Sequence, residues 1–502
     1  MPIPGLPTFT SGTLTAAKLN AIVAALEEKF AAGISTGDVA WPLTAGGDIN
    51  MGQFSILNVG KFWNAYDASA RTAGTTLQAT IDLLAADGGG VIIFPGNYTE
   101  YVDAAGILVP TNVSLIGDGA SSVLSIHASA SNGMVRFASG ADAGGIRNMR
   151  LTGNVSVAQT LLQIDTADDL VIADCWFDTH KTSPFISVIG GSTNVRIDNC
   201  AFLGTSVTNA QNMIEVTGSI GLQITDCNFS DWATRWLYAV PAAGTPINST
   251  IVSGCIAKRD VTNGDAIGSF ACEFDNSTNT VACSGLNFTD NTVLGESLVG
   301  GIKITGGGLV GLIIADNELY TKVISPALLI HGDTTQVVIA GNRIDSLAGD
   351  GIVIGLNGGT ETTGQTASLV RDIAITGNNV NVDSPTDGAG VALLMAPYTT
   401  SVGLRAAITG NRFVSNRSHA IAIWNIGTTK PLYMTISGNS CWADDAYKGF
   451  ASFQGMGTTA GDIGTAAINW WFTMVGNNIS GAVSGVDYTS GSNKTVVQDN
   501  NI

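Results

Sequence analysis

Hydrophobic and polar positions along most of this 502-residue chain alternate with a period of two, and short polar corners interrupt the alternation again and again. The clearest instance is Ile373-Ala374-Ile375-Thr376-Gly377-Asn378-Asn379-Val380, a pattern that returns twelve times. Its key residue is Cys175, Cys200, Cys227, Cys255, Asn291, Asn317, Asn342, Asn378, Asn411, Asn439, Asn477 or Asn500. Before every key stands an Asp, Asn or Gly, the types that accept a left-handed backbone at least cost. Three positions before the key the residue is apolar in each copy, from Ile172 to Val497, and two positions after it is apolar or small, as in Phe177, Phe202, Phe229, Ala257 and Leu319. Each copy therefore predicts a short strand, a tight corner and a second strand.

Successive keys lie between 23 residues (Asn477 to Asn500) and 38 residues (Asn439 to Asn477) apart. That is too long for a hairpin, too irregular for a fibrous repeat, and right for one coil of a solenoid. Without a 3.6-residue spacing the solenoid is β, and its corners stack at about 4.8 Å if the strands are parallel. A buried Asn left unpaired would cost roughly 1–3 kcal/mol, so the Asn keys must form a ladder. The four Cys keys fit the same slot, because a free Cys behaves as a small buried hydrophobe. The predicted fold is all-β, a single-stranded parallel β-helix of about twelve or more coils.

The ends of the chain change this picture. Thr13 to Phe30 places Leu19, Ile22, Val23, Leu26 and Phe30 on one helical face, with Thr13 or Thr15 as the cap. Packing on its own chain and packing in a three-chain bundle both satisfy that face. Farther on, Thr75 or Thr76 caps a second helix carrying Leu77, Ile81 and Leu84, and Gly88-Gly89-Gly90 ends it before the strand Val91-Ile92-Ile93-Phe94. Such a helix would cover the open first coil. The expected organisation is a small helical region over 1–60, an opening segment with capping helix and first strand over 61–112, and the β-helix body over 113–502.

Composition narrows the partners. Only 12% of residues are charged and 45% are hydrophobic, which points to chain-to-chain packing, expected to be symmetric. A net charge of −18 opposes nucleic acid, which wants an excess of Lys and Arg. Four His without a nearby Cys cluster give no zinc motif, and no cofactor or metal is expected. Seven Cys, four of them in stacked interior slots, read as reduced thiols made in a cytoplasm. Met1 to Pro7 shows no basic region followed by an apolar run, so no secretory signal is expected, and no run of eighteen apolar residues predicts membrane insertion.

With the keys as a ruler, the residue five beyond each key should stack in one column: His180, Thr205, Trp232, Asp260, Glu296 and Lys322. Asp260 and Glu296 then sit on adjacent coils, close enough for a glycosidase pair, and are the candidate catalytic residues. The competing reading is an ordinary polar face, with Lys322 as an ion-pair partner of Glu296. Asp231, Trp232, Arg235 and Trp236 form a dense aromatic and charged segment suited to sugar rings and hydroxyls, and Arg259 and Lys322 extend that candidate binding set. The alternative places one or both Trp between chains. Glu273 and Asp275 share one face of a strand and read as solvated. His331 with Asp333 reads as a base and its orienter or as a structural His.

Two stretches carry a resemblance. LTAAKLNAIV followed by WPLTAGGDINMGQFSILNVG resembles the opening of bacteriophage tail-fibre and tailspike proteins, and LQATID, GGGVIIFPGNY and LVPTNVSLIGDG resemble the start of pectate-lyase-like right-handed parallel β-helices. The resemblance implies a homotrimeric tailspike of the virion, joined through its N-terminal region to tail, baseplate or adaptor proteins. Its body would bind host capsule, O-antigen or another surface glycan, either cleaving it by hydrolysis or elimination or serving as a structural, adhesive fibre without activity. Polygalacturonases on this fold carry a paired Asp, a Gly-His-Gly and an Arg-Ile-Lys. Asp168-Asp169 and Ile302-Lys303-Ile304 are partial echoes, Gly-His-Gly is absent, and no catalytic residue is carried over.

Overall fold

The computed structural model describes residues 65–68 and 75–499, apart from internal stretches among which are 205–211, 260–269, 296–299, 356–369, 426–431, 444–449 and 455–468. The chain divides into two compact units, Met1–Tyr66 and Asp67–Ile502. The candidate helix at 13–30 lies outside the described residues, and the second unit carries the repeated corners.

The predicted capping helix spans Leu77–Ala86, and Thr76 decides its start by accepting from Ala79 N at 3.1 Å. Leu77, Thr80, Ile81 and Leu84 are buried, and Gly88, Gly89 and Gly90 all have positive φ where the chain leaves it. Its Gln78 meets an early strand, Ile107–Val109, with both ends of its amide. Nε2 donates to Leu108 O at 3.0 Å and Oε1 accepts from Leu108 N at 2.7 Å. A side chain thereby pairs backbone groups that an open edge would leave exposed.

From there the chain winds as a parallel β-helix with three strands per coil. Strands on the first face include Leu162–Asp165, Ile186–Ile189, Asn212–Val216, Arg235–Ala239 and Phe270–Asp275. Those on the second include Val171–Ala173, Arg196–Asp198 and Gln223–Thr225. The third face, a separate 14-stranded sheet, includes Trp176–Asp178, Ala201–Leu203 and Asn228–Ser230. In the middle coils the first two faces merge into the long strands Gly300–Ala315 and Leu328–Ala340, which pair from Ile302 to Ala315 with a register shift between Gly307 and Leu309 and a shared bend at Gly311 and Gln336.

The repeated corner lies between the second and third faces and behaves as its residue types dictate. Each residue before a key from Asp174 to Gly476 is left-handed, with φ between 49° at Asn199 and 67° at Gly254. Apolar residues three before the key stack in register, Ile172 on Ile197 on Ile224 on Val252, and Ile314 on Ile339 on Ile375 on Ile408. Phe177, Phe202 and Phe229, two beyond the key, stack with ring centroids 4.8 and 4.7 Å apart. The last copy departs from the pattern: Val497 pairs with Thr473 rather than Met474, a slip of one residue.

The Asn keys form the required ladder. Asn342 Nδ2 donates to Asn378 Oδ1 at 2.9 Å and to Ile314 O at 2.8 Å, while its Oδ1 accepts from Asn317 N and Nδ2. The same bonds recur from Asn291 to Asn477. The Cys keys hang their thiols on carbonyls instead, as Cys200 does on Asp198 O at 3.3 Å, and Cys255 N donates to Asn291 Oδ1 where the two series meet.

Candidate functional site

The second and third faces alternate buried and solvent-facing residues, but the middle of the first face does not. In register there, the column Glu215, Tyr238, Glu273, Lys303 runs over four coils and continues as Leu329, Val353, Leu394 and Ala422. The last four are buried together with Phe270 and Val391. Two residues farther along the strands a second column reads Asp275, Thr305, His331.

Glu273 is the centre of this constellation. Its side chain is 4% exposed, and cations from the two neighbouring coils clamp it: Arg235 Nη2 lies 2.5 Å from Oε2 and Lys303 Nζ 2.7 Å from Oε1. A carboxylate this deeply buried is tolerable because it is paired on both oxygens. The Arg235 guanidinium also lies over the Tyr238 ring, 4.3 Å from its centroid. Burial, opposed by Arg235, pushes the Tyr238 phenol up, so it remains a donor at neutral pH. Across the clamp, His331 Nε2 and Thr305 Oγ1 are 2.9 Å apart. Burial first and Lys303 second lower the His331 imidazole to about 4 against the pull of Asp275 and Glu273, so it is neutral at pH 7. Asp275 is less buried than Glu273, and its Oδ1 accepts from Ser277 N at 3.0 Å. Donors, acceptors and a neutral imidazole thus share one patch. The patch offers hydroxyl recognition from both sides of the hydrogen bond and one base in its proton-accepting form.

The structure redistributes the residues singled out in the sequence. Arg235 belongs to the cluster. Trp232 and Trp236 present no exposed ring face, because each is 1% exposed and packs inside the coil, with Trp236 4.7 Å from the Phe229 ring. They fill their own coil rather than a gap between chains. Arg259 is 2% exposed and in register with Gly295, in a column that continues over the next coils as the buried Thr321 and Ser346. Burial lowers its guanidinium, with Asp231 opposing. Asp231 itself is a corner residue with φ 55°, its N–H donated to Lys258 O. Lys322 is exposed on the third face, 5.6 Å from the Tyr320 ring centroid. Asp260, Glu296 and Thr205 lie outside the described residues. The ruler holds as far as four residues past the key, but the described members of the fifth position split, His180 and Trp232 being buried and Lys322 exposed. That position is not one outward column.

Glu273 corrects a further expectation, being clamped and buried rather than solvated. His331 does have a place in the repeat, above Thr305 and Asp275, which the sequence concealed because inserted loops vary the distance from the first face to the next key. Among the described residues no group of three His, Cys, Asp or Glu is placed to hold a metal ion, and no helix is long and apolar enough to cross a membrane.

No family model matches the sequence, and no curated protein matches it. Among solved structures, the A-module of a mannuronan C-5 epimerase from Azotobacter vinelandii is similar at 14% identity over 86% of this chain and 97% of that one, with a TM-score of 0.41. A tailspike protein mutant of E. coli bacteriophage HK620 in complex with a pentasaccharide is similar at 13% identity over 84% and 74% of the two chains, TM-score 0.44. A periplasmic alginate epimerase mutant is similar at 15% identity over 77% and 76%, TM-score 0.42. At these identities and scores the likeness is one of coil architecture, and the chemistry rests on the residues of this chain.

Proposed function

We propose that this chain is a bacteriophage tailspike whose β-helix binds a polysaccharide of the host surface on its first face. The observation that carries the reading is the clamp of Glu273 between Arg235 and Lys303, next to Tyr238, Asp275 and His331. Adjacent parallel coils bring these groups together at a spacing of about 4.8 Å, which suits successive hydroxyl-bearing rings of a polymer. Residues 1–60 serve as the virion-attachment and trimerisation region, and three copies assemble through their sparsely charged surfaces. The tail, baseplate or an adaptor is the partner at that end, and capsule or O-antigen is the partner of the body.

A second reading, that the spike also cleaves the polymer, is favoured by one feature. His331 is a neutral imidazole in one column with a carboxylate, Asp275, two coils away across Thr305, and that carboxylate has no cation clamp of its own among the described residues. Glu273 is unsuited to donating a proton, since both of its oxygens accept from cations, and its role is to hold Arg235 and Lys303 in place.

Incubation of the purified protein with capsule or lipopolysaccharide of its host, followed by mass spectrometry, tests both readings. Binding is expected, and release of repeat units adds depolymerisation, an unsaturated end group marking elimination. Failure to bind any surface polysaccharide of a susceptible host removes the first reading.

A further inference from the structure

A second concave surface lies on the second face, away from the clamp. It is a groove of about 640 Å³ crossing five coils, a span of about 19 Å at ~4.8 Å per coil. Two local features create it. The first is a loss of bulk in the outward column, which reads Ile313, Val338, Ala374, Ala407 in register. Ile313 is 40% exposed, and the two alanines after it leave a dent. The second is the end of a stacked column of left-handed bends. Ser249, Gly285, Gly311, Gln336 and Asp372, on five successive coils, are all left-handed, with φ of 53°, 67°, 78°, 58° and 54°. No residue of the next strand, Leu404–Thr409, is left-handed, so the column of bends ends there and its last two members, Gln336 and Asp372, line one wall of the groove.

We propose that this groove is a saccharide-binding subsite, separate from the first-face cluster, for uncharged pyranose rings. Its lining is what such a ring needs. Tyr433, 44% exposed, offers an aromatic face, and Ala374 and Ala407 give an apolar floor. At the rim Arg405 Nε lies 3.2 Å from Asp372 Oδ1, with the two side chains 74% and 42% exposed. The pair supplies both donors and acceptors and is electrically neutral together, so a polyanion or polycation gains no net attraction there. An exposed pair of this kind is weakly held and opens readily to ligand hydroxyls. Gln336 adds an amide with both functions on the same wall. The class of ligand rests on the polysaccharide reading above, whereas the location does not.

Saturation-transfer NMR tests the subsite with the full chain and four probes at millimolar concentration: the methyl α-pyranosides of glucose, galactose and mannose, and N-acetylglucosamine. Transfer to the ring protons of at least one probe is expected. Tyr433→Ala should weaken it roughly fivefold to tenfold, the worth of one aromatic contact, and Ala407→Trp, which fills the dent, should abolish it. Trp442→Ala, at an exposed ring on the third face outside both surfaces, should leave it unchanged. No transfer from any probe overturns the subsite. So does transfer that survives Tyr433→Ala and disappears in Asp275→Asn, which would put the sugar on the first face and leave the polysaccharide reading standing. Sedimentation of the variants closes the remaining route: an oligomer that Tyr433→Ala or Ala407→Trp splits into single chains makes the groove an interface between copies and overturns the subsite.

Discussion

The side-chain amide of Asn342 donates to Oδ1 of Asn378 at 2.9 Å, although the two residues are 36 positions apart in the chain. The bond joins equivalent corners of adjacent coils, and Asn342 Oδ1 accepts in turn from Asn317 on the coil before. Each rung thus satisfies a buried polar group that has no access to water.

Replacing a rung removes several bonds together. Asn342→Ala takes the acceptor from Asn317 N and Nδ2 and a donor from Ile314 O. It is expected to cost about 3 kcal/mol or more, since each orphaned buried group costs roughly 1–3 kcal/mol. Cys200→Ala, which removes a weak thiol donor, should cost less. Urea unfolding followed by tryptophan fluorescence orders the two variants, and equal midpoints would show that the ladder adds nothing beyond packing.

The clamp on the first face behaves as a unit. Glu273→Gln leaves Arg235 and Lys303 facing one another, with side chains 20% and 25% exposed. The expected loss is about 3–5 kcal/mol, as for breaking a buried ion pair from one side. Adding Lys303→Met should return part of that stability without restoring polysaccharide binding. Thermal melts and a binding assay on the single and double variants separate the two effects.

His331 and His180 make stability depend on pH with one sign. Burial lowers both from 6.5 to about 4, so between those values the unfolded chain holds more protons than the folded one. The stability they contribute is complete above pH 6.5, declines as pH falls through that window, and stops declining below about 4. Asp350, pushed up by burial, works with the opposite sign at the low end. Melting temperature should drop from pH 7 to pH 4, and His331→Asn should flatten the drop. A ring titration of His331 by NMR with a midpoint near 6.5 would contradict this.

Aromatic residues that look alike in sequence divide by burial. Trp236→Ala should cost about 3–5 kcal/mol by opening a cavity beside Phe229. Trp442→Ala, at a residue 43% exposed, should shift stability by less than about 1 kcal/mol. Chemical denaturation of both distinguishes them, and similar losses would remove the assignment of Trp236 to the core.

The fold was legible because the corner imposes three demands on short stretches of sequence. A left-handed residue restricts one position to Asp, Asn or Gly, a buried slot restricts the next to Asn or Cys, and stacked apolar positions fix the distances on either side. The candidate site was not legible in the same way. Arg235, Glu273, Lys303 and His331 lie on the first face, before loops of unequal length, so no constant offset from the keys connects them. The ruler served the third face, whose strands follow the corner directly, and failed at the fifth residue, where Trp232 turns inward and Lys322 outward. A parallel β-helix with its Asn ladder is written into the order of residues, since both depend on bonds and packing repeated every coil. Which charges meet is settled only when the chain winds. Coil winding brings side chains 30 to 38 residues apart within bonding distance, as Lys303 and Arg235 are of Glu273, and no local pattern records that choice.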